Sequence, residues 1–262
     1  MKVERKIESE VIDRSVLMVI AYMMNRGLID SLDFPVSKGK EAYVFRAKPG
    51  RKVKSDFVAV KIYMIETSRF EHMHDYIRGD PRFRKIGGTK KDIVYAWTKK
   101  EFRNLMLMHE SGVHVPEPYF FRNNLLAMEF IGDAGNPESP AKLLKDVGPP
   151  DPKRNFQQIV RDMKRMYDVG LVHGDLSEFN ILVQGDKLVI IDVGQAVLLD
   201  HPMAEEFLRR DVANVVRFFR KFSIKADEED ILKKVKGQEK AKANEKEGKE
   251  KTKEQETERE TE

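Results

Sequence analysis

The stretch LVHGDLSEFNILVQGDKLVIIDVGQA, residues 171–196, carries three polar residues at the ends of short apolar runs. They are Asp175, Asn180 and Asp192. LVH, ILV and KLVIID are typical of short strands, and QGD between the last two indicates a hairpin turn. A hairpin would bring Asn180 close to Asp192. Converging carboxylate and amide oxygens suit a hard cation such as Mg²⁺, and an aspartate in the preceding loop suits the proton of an attacking hydroxyl or water.

The spacing of these residues matches the protein-kinase pattern, in which H-x-D-x-x-x-x-N is followed by a strand and an aspartate-glycine metal motif. Here the pattern consists of His173, Asp175 and Asn180, followed by Asp192 and Gly194. A simpler hypothesis is that the aspartates are ordinary turn residues. Two exposed turns explain neither the spacing nor the flanking apolar runs, so we favour a phosphoryl-transfer site.

Composition limits the class of protein. The chain has 262 residues, of which 40% are hydrophobic, so it can bury one bilobal core or two small domains. No apolar run approaches the roughly 20 residues that cross a bilayer, and the charged N-terminus does not resemble a signal peptide. The lack of cysteine excludes disulfides, thiolate metal sites and a cysteine nucleophile. We therefore expect a cytoplasmic protein without a membrane segment.

The net charge of +4 hides two basic clusters. Such clusters suit phosphate backbones, although a solvated surface explains the first cluster equally well. For the second cluster we favour a solvated surface, because its residues lie on the polar face of a helix whose other face is apolar. The first cluster is Arg78, Arg82, Arg84, Lys85, Lys90 and Lys91, and the second is Arg209, Arg210, Arg217, Arg220 and Lys221.

Changes in pattern divide the chain into four segments. Residues 1–35 are predicted to be an N-terminal helical extension. Residues 36–128 form a first lobe, interrupted near 71–92 by a charged segment without periodicity that we expect to be a flexible insertion. Residues 129–232 form the connection and second lobe. Residues 233–262 are a tail rich in lysine and glutamate that we expect to be disordered or marginally helical, because it cannot bury enough apolar surface to offset its ordering entropy.

A lysine and a glutamate interrupt two apolar patterns of the first lobe. Lys61 lies in the apolar strand of residues 58–62, and Glu101 lies on the apolar stripe of a helix predicted from near Tyr95 to Glu110. A carboxylate that is buried alone is unfavourable, so the sequence predicts that Glu101 pairs with Lys61. The alternative is that both side chains reach solvent at the edges of their elements.

Residues 125–132, LLAMEFIG, predict a buried strand that leads into a flexible connection. The stretch resembles the segment that joins the two lobes of a protein kinase. In that case, backbone groups of Glu129 and Ile131 would contact adenine. An ordinary core strand is the alternative, and it is compatible with base binding at its end.

Five motifs carry a resemblance to a known family. They are SKGKEAYVF, VAVK, KEFRNL, HGDLSEFNIL and IIDVGQAV, within residues 36–222. The chain resembles archaeal-type RIO kinases of the Rio1 branch, which are atypical serine/threonine kinases or ATPases. The stretch before Val36 is too short for the winged-helix domain that is usual in the Rio2 branch. The resemblance implies an α+β, bilobal protein-kinase-like fold with an N-terminal helical extension and a trimmed C-lobe that lacks a full activation segment.

The resemblance also implies roles for the motif residues. Lys61 is implied to hold the α and β phosphates of ATP and to be positioned by Glu101. Asn180 and Asp192 are implied to hold Mg²⁺ or Mn²⁺, and Asp175 to be the catalytic aspartate. In this family Asp192 is also implied to accept phosphate during an ATPase cycle, which is reasonable chemistry for a carboxylate nucleophile.

Two departures from ordinary kinases affect these expectations. The loop of Ser37, Lys38, Gly39 and Lys40 is implied to cover the triphosphate, but it has one glycine in place of G-x-G-x-x-G, so we expect a stiffer loop that also uses hydroxyl and ammonium groups. Val193 replaces the phenylalanine of D-F-G, and no A-P-E motif follows. Little length remains for an activation segment or a broad peptide groove, which favours an ATP-driven switch acting on a large particle.

Three functions are therefore compared. The leading hypothesis, which the resemblance implies, is a RIO-type kinase or ATPase that uses ATP in maturation of the small ribosomal subunit, with the precursor particle and its rRNA as partners. A small-molecule phosphotransferase of the aminoglycoside or choline kinase type shares H-G-D-x-x-x-x-N, but its substrate-binding helical subdomain is missing here. A noncatalytic ribonucleoprotein-binding module is disfavoured by the complete motif set. We expect a monomer, and the basic residues at 78–91 suit rRNA.

Overall fold

A five-stranded antiparallel sheet and a mainly helical region form the two lobes of the protein. The computed structural model describes residues 12–66, 73, 76–77, 79–83 and 86–238. The first lobe contains α1 (Arg14–Asn25), β1 (Ile29–Lys38), β2 (Ala42–Pro49), β3 (Val58–Tyr63), α2 (Lys90–Glu110), β4 (Pro118–Arg122) and β5 (Leu125–Glu129). The second lobe contains β6 (Lys142–Leu143), α3 (Leu144–Val147), α4 (Pro152–Asp168), β7 (Leu171–Val172), β8 (Ile181–Gln184), β9 (Lys187–Ile190), β10 (Val197–Leu198), α5 (Ala204–Arg220) and α6 (Glu228–Val235). The predicted bilobal α+β architecture is confirmed.

The sheet has the strand order β1-β2-β3-β5-β4. Its register pairs Ser37 with Val44, Val44 with Lys61, and Lys61 with Leu126. Residues directly opposite each other on neighbouring strands project from the same face. The end of β1 is therefore in the same row of the sheet as Lys61.

Helix α1 covers one face of this sheet with apolar residues at helical spacing. Val16, Ile20 and Met23 are buried against strand residues. The Asp13 side chain caps the helix by accepting from the Val16 N–H at 2.8 Å. This helix lies within the segment predicted as an N-terminal helical extension. Strand β1 begins at Ile29, so the proposed segment boundary at residue 35 falls inside a strand.

The predicted start of the long helix near Tyr95 is wrong, because α2 begins at Lys90. A capping box explains the earlier start. The Thr89 side chain accepts from the Asp92 N–H at 3.2 Å, and the Asp92 side chain accepts from the Thr89 N–H at 3.2 Å. This local signal was hidden in a segment dominated by charge and glycine.

The segment predicted as an insertion, residues 71–92, contributes to the core where it is described. Met73, Ile77 and Phe83 are buried in one hydrophobic cluster with Trp97 of α2. The other apolar members of that cluster come from β2, β3 and α2. Seven residues of this segment, 71, 72, 74, 75, 78, 84 and 85, lie outside the described part of the chain.

The second lobe is built around α4 and α5. Phe156, Ile159 and Met163 of α4 are buried, and the ring of Phe156 contacts that of Phe219 with centroids 5.4 Å apart. These residues recur at helical spacing and form the apolar face of α4. Gly170, with a φ of +82°, follows α4 and directs the chain into β7.

The prediction that the tail begins at residue 233 is wrong by several residues. Helix α6 extends past Lys233, and the side chain of Val235 is buried in the second lobe. Residues 1–11 and 239–262 lie outside the described part of the chain. The predictions for the start of the N-terminal extension and for most of the charged tail therefore remain predictions. Among the described residues, no helix is long and apolar enough to cross a membrane.

Candidate active site

Residues 181–190 fold as the predicted hairpin. Strands β8 and β9 pair from Ile181 with Ile190 to Gln184 with Lys187. The N–H of Ile191 then donates to the carbonyl of Asn180 at 2.9 Å, which continues the pairing to the residue before Asp192. The hairpin therefore brings Asn180 and Asp192 to the same end of the second lobe.

The side chain of Asn180 is oriented by the preceding loop. Its Nδ2 donates to the backbone carbonyl of Asp175 at 2.9 Å and to the Asp175 Oδ2 at 3.3 Å. Because these bonds use the amide nitrogen, Oδ1 is left as an acceptor. The N–H of Asp175 donates to Nδ1 of His173 at 3.3 Å. Burial lowers the pKa of His173, which favours the neutral ring that this bond requires.

Helix α5 anchors the loop on both sides of Asp175. Asp211 is buried and accepts from the N–H groups of Gly174 and Leu176, each at 2.8 Å. Arg210 donates to the carbonyl of Gly174. Burial raises the pKa of Asp211 to about 7, although both N–H donors favour the charged carboxylate. The sequence signal for Asp211 was an acidic residue on an otherwise apolar helix face, and it was not used.

The interpretation of the second basic cluster as a solvated surface needs a correction at Arg210. Arg209 does bond neighbours on the helical surface, Glu205 at 3.1 Å and also Glu229. Arg210 instead packs over the ring of Phe207, 4.8 Å from its centroid, and contacts the loop that carries Asp175. Its role in the loop depends on a tertiary contact that a helical pattern does not report.

Lys61 joins the two lobes through two carboxylates. Its Nζ lies 2.8 Å from Glu101 Oε1 and 3.0 Å from Asp192 Oδ1. The predicted ion pair between Lys61 and Glu101 is confirmed, and the alternative in which both reach solvent is wrong. The Glu101 side chain is 1% exposed, whereas the Asp192 side chain is 45% exposed. The Glu101 carboxylate is therefore buried inside the protein, whereas the Asp192 carboxylate faces the cleft between the lobes.

The charges of this group stabilise one another. The positive charge of Lys61 lowers the pKa of Asp192. Burial acts to lower the pKa of Lys61, but Asp192 and Glu101 outweigh it and hold that pKa well above its usual value. Lys61 and Asp192 are therefore both charged at neutral pH.

Tyr63 is a residue of the site that the sequence analysis missed. It is 1% exposed, and its hydroxyl donates to Oε2 of Glu101. The two Glu101 oxygens are thus satisfied by Lys61 and Tyr63. Burial raises the pKa of Tyr63 well above its usual value, so the hydroxyl remains a donor. The available signal was the spacing, because residues two apart on a strand project from the same face.

The β1–β2 turn is shorter than the expected phosphate loop. Ser37 and Lys38 are the last residues of β1, and Gly39 and Lys40 lie in the turn that leads to β2; all four are exposed. The Gly39 N–H donates to the Ala42 carbonyl at 2.9 Å. A Cβ at Gly39 would lie 3.2 Å from that carbonyl, so a small residue is favoured there.

The segment after β5 connects the lobes. The N–H of Glu129 donates to the Glu117 carbonyl at 2.7 Å, and the carbonyl of Ile131 accepts from the Ala141 N–H at 2.9 Å. Neither bond involves the carbonyl of Glu129 or the N–H of Ile131. An acceptor and a donor two residues apart on one backbone have the spacing needed to contact the edge of a base.

The oxygens at the cleft suit a hard divalent cation. They are the half-exposed carboxylate of Asp192 and the amide oxygen of Asn180. Within the described ranges, no group of three or more His, Cys, Asp or Glu side chains has the arrangement of a complete metal site. Mg²⁺ is usually held by one or two protein carboxylates together with waters and substrate phosphates. The residues present therefore fit an ion that is bound together with a nucleotide.

Sequence comparison with known proteins decides the family. Residues 43–232 match the RIO domain. The chain belongs to the RIO family. It is 43% identical over 234 residues to the RIO-type serine/threonine-protein kinase Rio1 of Haloferax volcanii, which covers 89% of this chain and 79% of that relative. It is 39% identical over 228 residues to human serine/threonine-protein kinase RIO1, covering 85% of this chain and 39% of the human protein. These matches assign it to the archaeal-type Rio1 branch and make it a kinase.

The fold also matches solved RIO structures. A Rio2 kinase–ADP/Mg²⁺–phosphoaspartate complex from Chaetomium thermophilum has a TM-score of 0.62 and 25% sequence identity, covering 82% of this chain and 65% of that one. Another structure of Rio2 kinase from the same organism also has a TM-score of 0.62. These likenesses agree with the bilobal kinase-like fold.

Proposed function

We propose that this protein uses Mg²⁺ and ATP in maturation of the small ribosomal subunit, as a serine/threonine kinase, an ATPase or both. The observation that carries the proposal is the contact of Lys61 with Glu101 at 2.8 Å and with Asp192 at 3.0 Å. This contact joins a cation suited to phosphate with a metal-binding carboxylate across the lobes. Membership of the RIO family supports the use of ATP.

Each polar residue has a separate proposed task. Lys61 holds the α and β phosphates, and Glu101 fixes its position. Asn180 and Asp192 hold Mg²⁺, or Mn²⁺ in its place. When bound, the ion neutralises phosphate charge. Asp175 accepts or orients the proton of the attacking hydroxyl or water. The fixed backbone on either side of Asp175 supports this role, because a general base works only within hydrogen-bond reach of its proton.

The rest of the nucleotide is bound by backbone and loop groups. The Glu129 carbonyl and the Ile131 N–H contact adenine. Residues 37–40 cover the triphosphate, with the Ser37 hydroxyl and the ammonium groups of the two lysines as donors. The position of Ser37 in the same row of the sheet as Lys61 supports this assignment.

A covalent ATPase step at Asp192 is part of the proposal. A carboxylate oxygen of Asp192 attacks the γ-phosphorus, the bond to the β–γ bridging oxygen breaks, and ADP leaves. Water then cleaves the acyl phosphate, which restores Asp192 and releases phosphate. The 45% exposure of Asp192 supports this step, as does the phosphoaspartate in the Rio2 complex.

ATP turnover with labelled γ-phosphate tests this function. Free phosphate and protein-bound label are followed with and without purified small-subunit precursors. We expect Mg²⁺-dependent turnover that the precursors increase, and an unchanged rate on addition of an unrelated RNA of equal mass. A rate of ATP turnover that the precursors do not change would contradict a role in subunit maturation. ATP turnover without Mg²⁺ would contradict the proposed metal-binding role of Asn180 and Asp192.

The ion pair of Lys61 and Glu101 is tested by each single substitution and by the two together. Lys61→Met should lower kcat/KM by about 10²-fold or more, since it removes a charge that stabilises the transferred phosphate. Glu101→Gln should have a smaller effect, because Lys61 keeps its contact with Asp192. The double variant should be more stable to thermal unfolding than Lys61→Met alone, which leaves Glu101 buried without its cation.

Lys48→Met is the matched control for the ion pair, because Lys48 is an exposed lysine of the same sheet. It should retain parental kinetics and melting temperature. Parental kcat/KM in Lys61→Met would contradict the phosphate-binding role. A double variant no more stable than Lys61→Met would contradict the energetic coupling of the pair.

Arg82 is not available for the RNA contact that the first basic cluster suggested. Its guanidinium pairs with the buried Asp80 at 2.6 Å and donates to Asn104 Oδ1 at 2.9 Å. Lys90 and Lys91 are exposed at the start of α2, while the other cluster members lie outside the described residues. Arg82 therefore stabilises the folded protein through Asp80 and Asn104. An RNA contact would depend on the other basic residues of the first cluster.

Neutralising Arg84, Lys85, Lys90 and Lys91 to glutamine tests the proposed rRNA partner. We expect weaker association with small-subunit precursors, because each lost phosphate contact removes about 0.7–0.9 from the slope of log affinity against log salt. Basal ATP hydrolysis should stay near the parental rate. Affinity is measured across a salt titration.

The control for this partner replaces exposed basic residues of α5 by glutamine, namely Arg209 and Arg220. Its affinity and salt slope should remain parental. If the first set of substitutions also leaves the salt slope unchanged, the first basic cluster is a solvated surface.

The monomeric state and cytoplasmic location stay predictions from the sequence.

A further inference from the structure

Lys100 is a buried lysine next to Glu101 that takes no part in the ion pair with Lys61. Its side chain is fully buried, and its Nζ donates to the carbonyl oxygens of Gly194 at 2.7 Å and of Ala196. Burial lowers the pKa of Lys100 to about 7, which shows that its environment is unfavourable for a charge. An apolar side chain would avoid the desolvation of an ammonium group, but it would donate no hydrogen bond to these carbonyls. The two hydrogen bonds are therefore what distinguishes lysine here.

Asn104, one turn further along α2, contacts the same segment. It is fully buried, and its Nδ2 donates to the carbonyls of Val193 at 2.9 Å and Ala196 at 3.0 Å. Its Oδ1 accepts from Arg82 at 2.9 Å. Because Arg82 is only a donor, this bond fixes which end of the amide faces the carbonyls. Arg82 thus orients Asn104.

The third contact with this segment is steric. A Cβ at Gly194 would lie 2.9 Å from ring atoms of Trp97, so the backbone of Gly194 lies against the indole. Trp97, Lys100 and Asn104 are three or four residues apart and share one face of α2. Between them they contact the backbone from Val193 to Ala196.

The residue that precedes this segment has an unusual conformation. Asp192 has φ 59° and ψ 57°, in the left-handed region. Aspartate adopts this region more readily than most residues other than glycine, but its surroundings must still hold the backbone there. The hydrogen bonds from Lys100 and Asn104 supply that constraint on the side of Asp192 that leads into Val193.

We infer that Lys100 and Asn104 are positioning residues for Asp192, and that Arg82 acts through Asn104. They fix residues 193–196 on α2, the helix that also carries Glu101, so Asp192 and Lys61 keep their relative position. This inference rests on the proposed metal-binding role of Asp192. It also links the segment that carries Arg82 to the reactive carboxylate.

Trp97 provides the measurement, since it is the only tryptophan of the chain and contacts Gly194. Its fluorescence is followed in the full chain while Mg²⁺ is added in the presence of saturating ADP. Lys100→Met should raise the Mg²⁺ concentration at half-change by about 10-fold or more, as loss of a group that supports a metal ligand typically does. ADP affinity without Mg²⁺ should remain parental, and excess Mg²⁺ should restore most of the turnover.

Lys99→Met is the matched control, because Lys99 is the neighbouring lysine on α2 and is less buried. It should show the parental Mg²⁺ midpoint. Asn104→Leu is a second variant and should shift the midpoint in the same direction, so the test holds even if Lys100→Met does not fold. Parental midpoints in folded variants at both positions would overturn the inference.

Asp192→Asn separates this inference from the proposed function. In the same titration Asp192→Asn should lose the Mg²⁺ response. If it loses the response while Lys100→Met and Asn104→Leu keep the parental midpoint, only the positioning role is wrong. If Asp192→Asn keeps a parental midpoint, the metal-binding role is wrong, and the positioning role is overturned with it.

Discussion

Asp175→Ala is expected to lower kcat for ATP turnover by a factor on the order of 10²–10⁴, the usual contribution of a positioned general base. Affinity for Mg²⁺ and ADP should stay close to parental, because the proposed role of this side chain is on the nucleophile. The loop should also keep its shape. Asp211 bonds only backbone N–H groups around position 175, and the shorter bond of Asn180 is to the backbone carbonyl.

Asp186→Ala is the matched control for Asp175→Ala. Asp186 lies in the turn between β8 and β9, and its carboxylate forms an exposed ion pair with Arg154. Such a pair contributes little to stability, so both kcat and melting temperature should remain parental. A parental kcat in folded Asp175→Ala would contradict the catalytic assignment.

Asp192→Asn is expected to have the second large effect, the loss of Mg²⁺-dependent turnover and of any label bound at this position. Asparagine keeps the size of the side chain and tolerates the left-handed conformation, so the backbone at φ 59° is preserved. An amide is a neutral ligand and a poor nucleophile, so it replaces neither property of the carboxylate. Initial rates are measured over a range of Mg²⁺ concentrations.

Asp200→Asn is the control for Asp192→Asn, because Asp200 is exposed in the loop that follows β10. It should show parental rates at every Mg²⁺ concentration. Turnover by Asp192→Asn that saturates with Mg²⁺ at the parental rate would exclude Asp192 as the metal ligand.

The parts of the site that were predictable are those that interrupt a local pattern. Lys61 stands out in an apolar strand and Glu101 on an apolar helix face, and each needs a partner of opposite charge. The hairpin that joins Asn180 to Asp192 was predictable because its turn signal lies between two short apolar runs. These signals need only a few neighbouring residues.

The residues that were missed act through contacts between distant parts of the chain. Lys100 donates to carbonyls more than 90 positions away, and within its run of charged residues it resembles a solvated lysine. Asp211 and Tyr63 likewise bond groups on other elements. Arg82 was assigned to a surface because its neighbours are basic, whereas Asp80 two residues earlier holds it. Local pattern cannot show these pairings, since the fold creates them.

Calorimetric titration of ADP, with and without Mg²⁺, tests most directly the claim that Asp175 acts on the nucleophile and Asp192 on the metal. It is applied to the parental chain, Asp175→Ala and Asp192→Asn. Mg²⁺ should strengthen ADP binding in the parental chain and, equally, in Asp175→Ala, but not in Asp192→Asn. An undiminished effect of Mg²⁺ on ADP binding in Asp192→Asn would contradict this account.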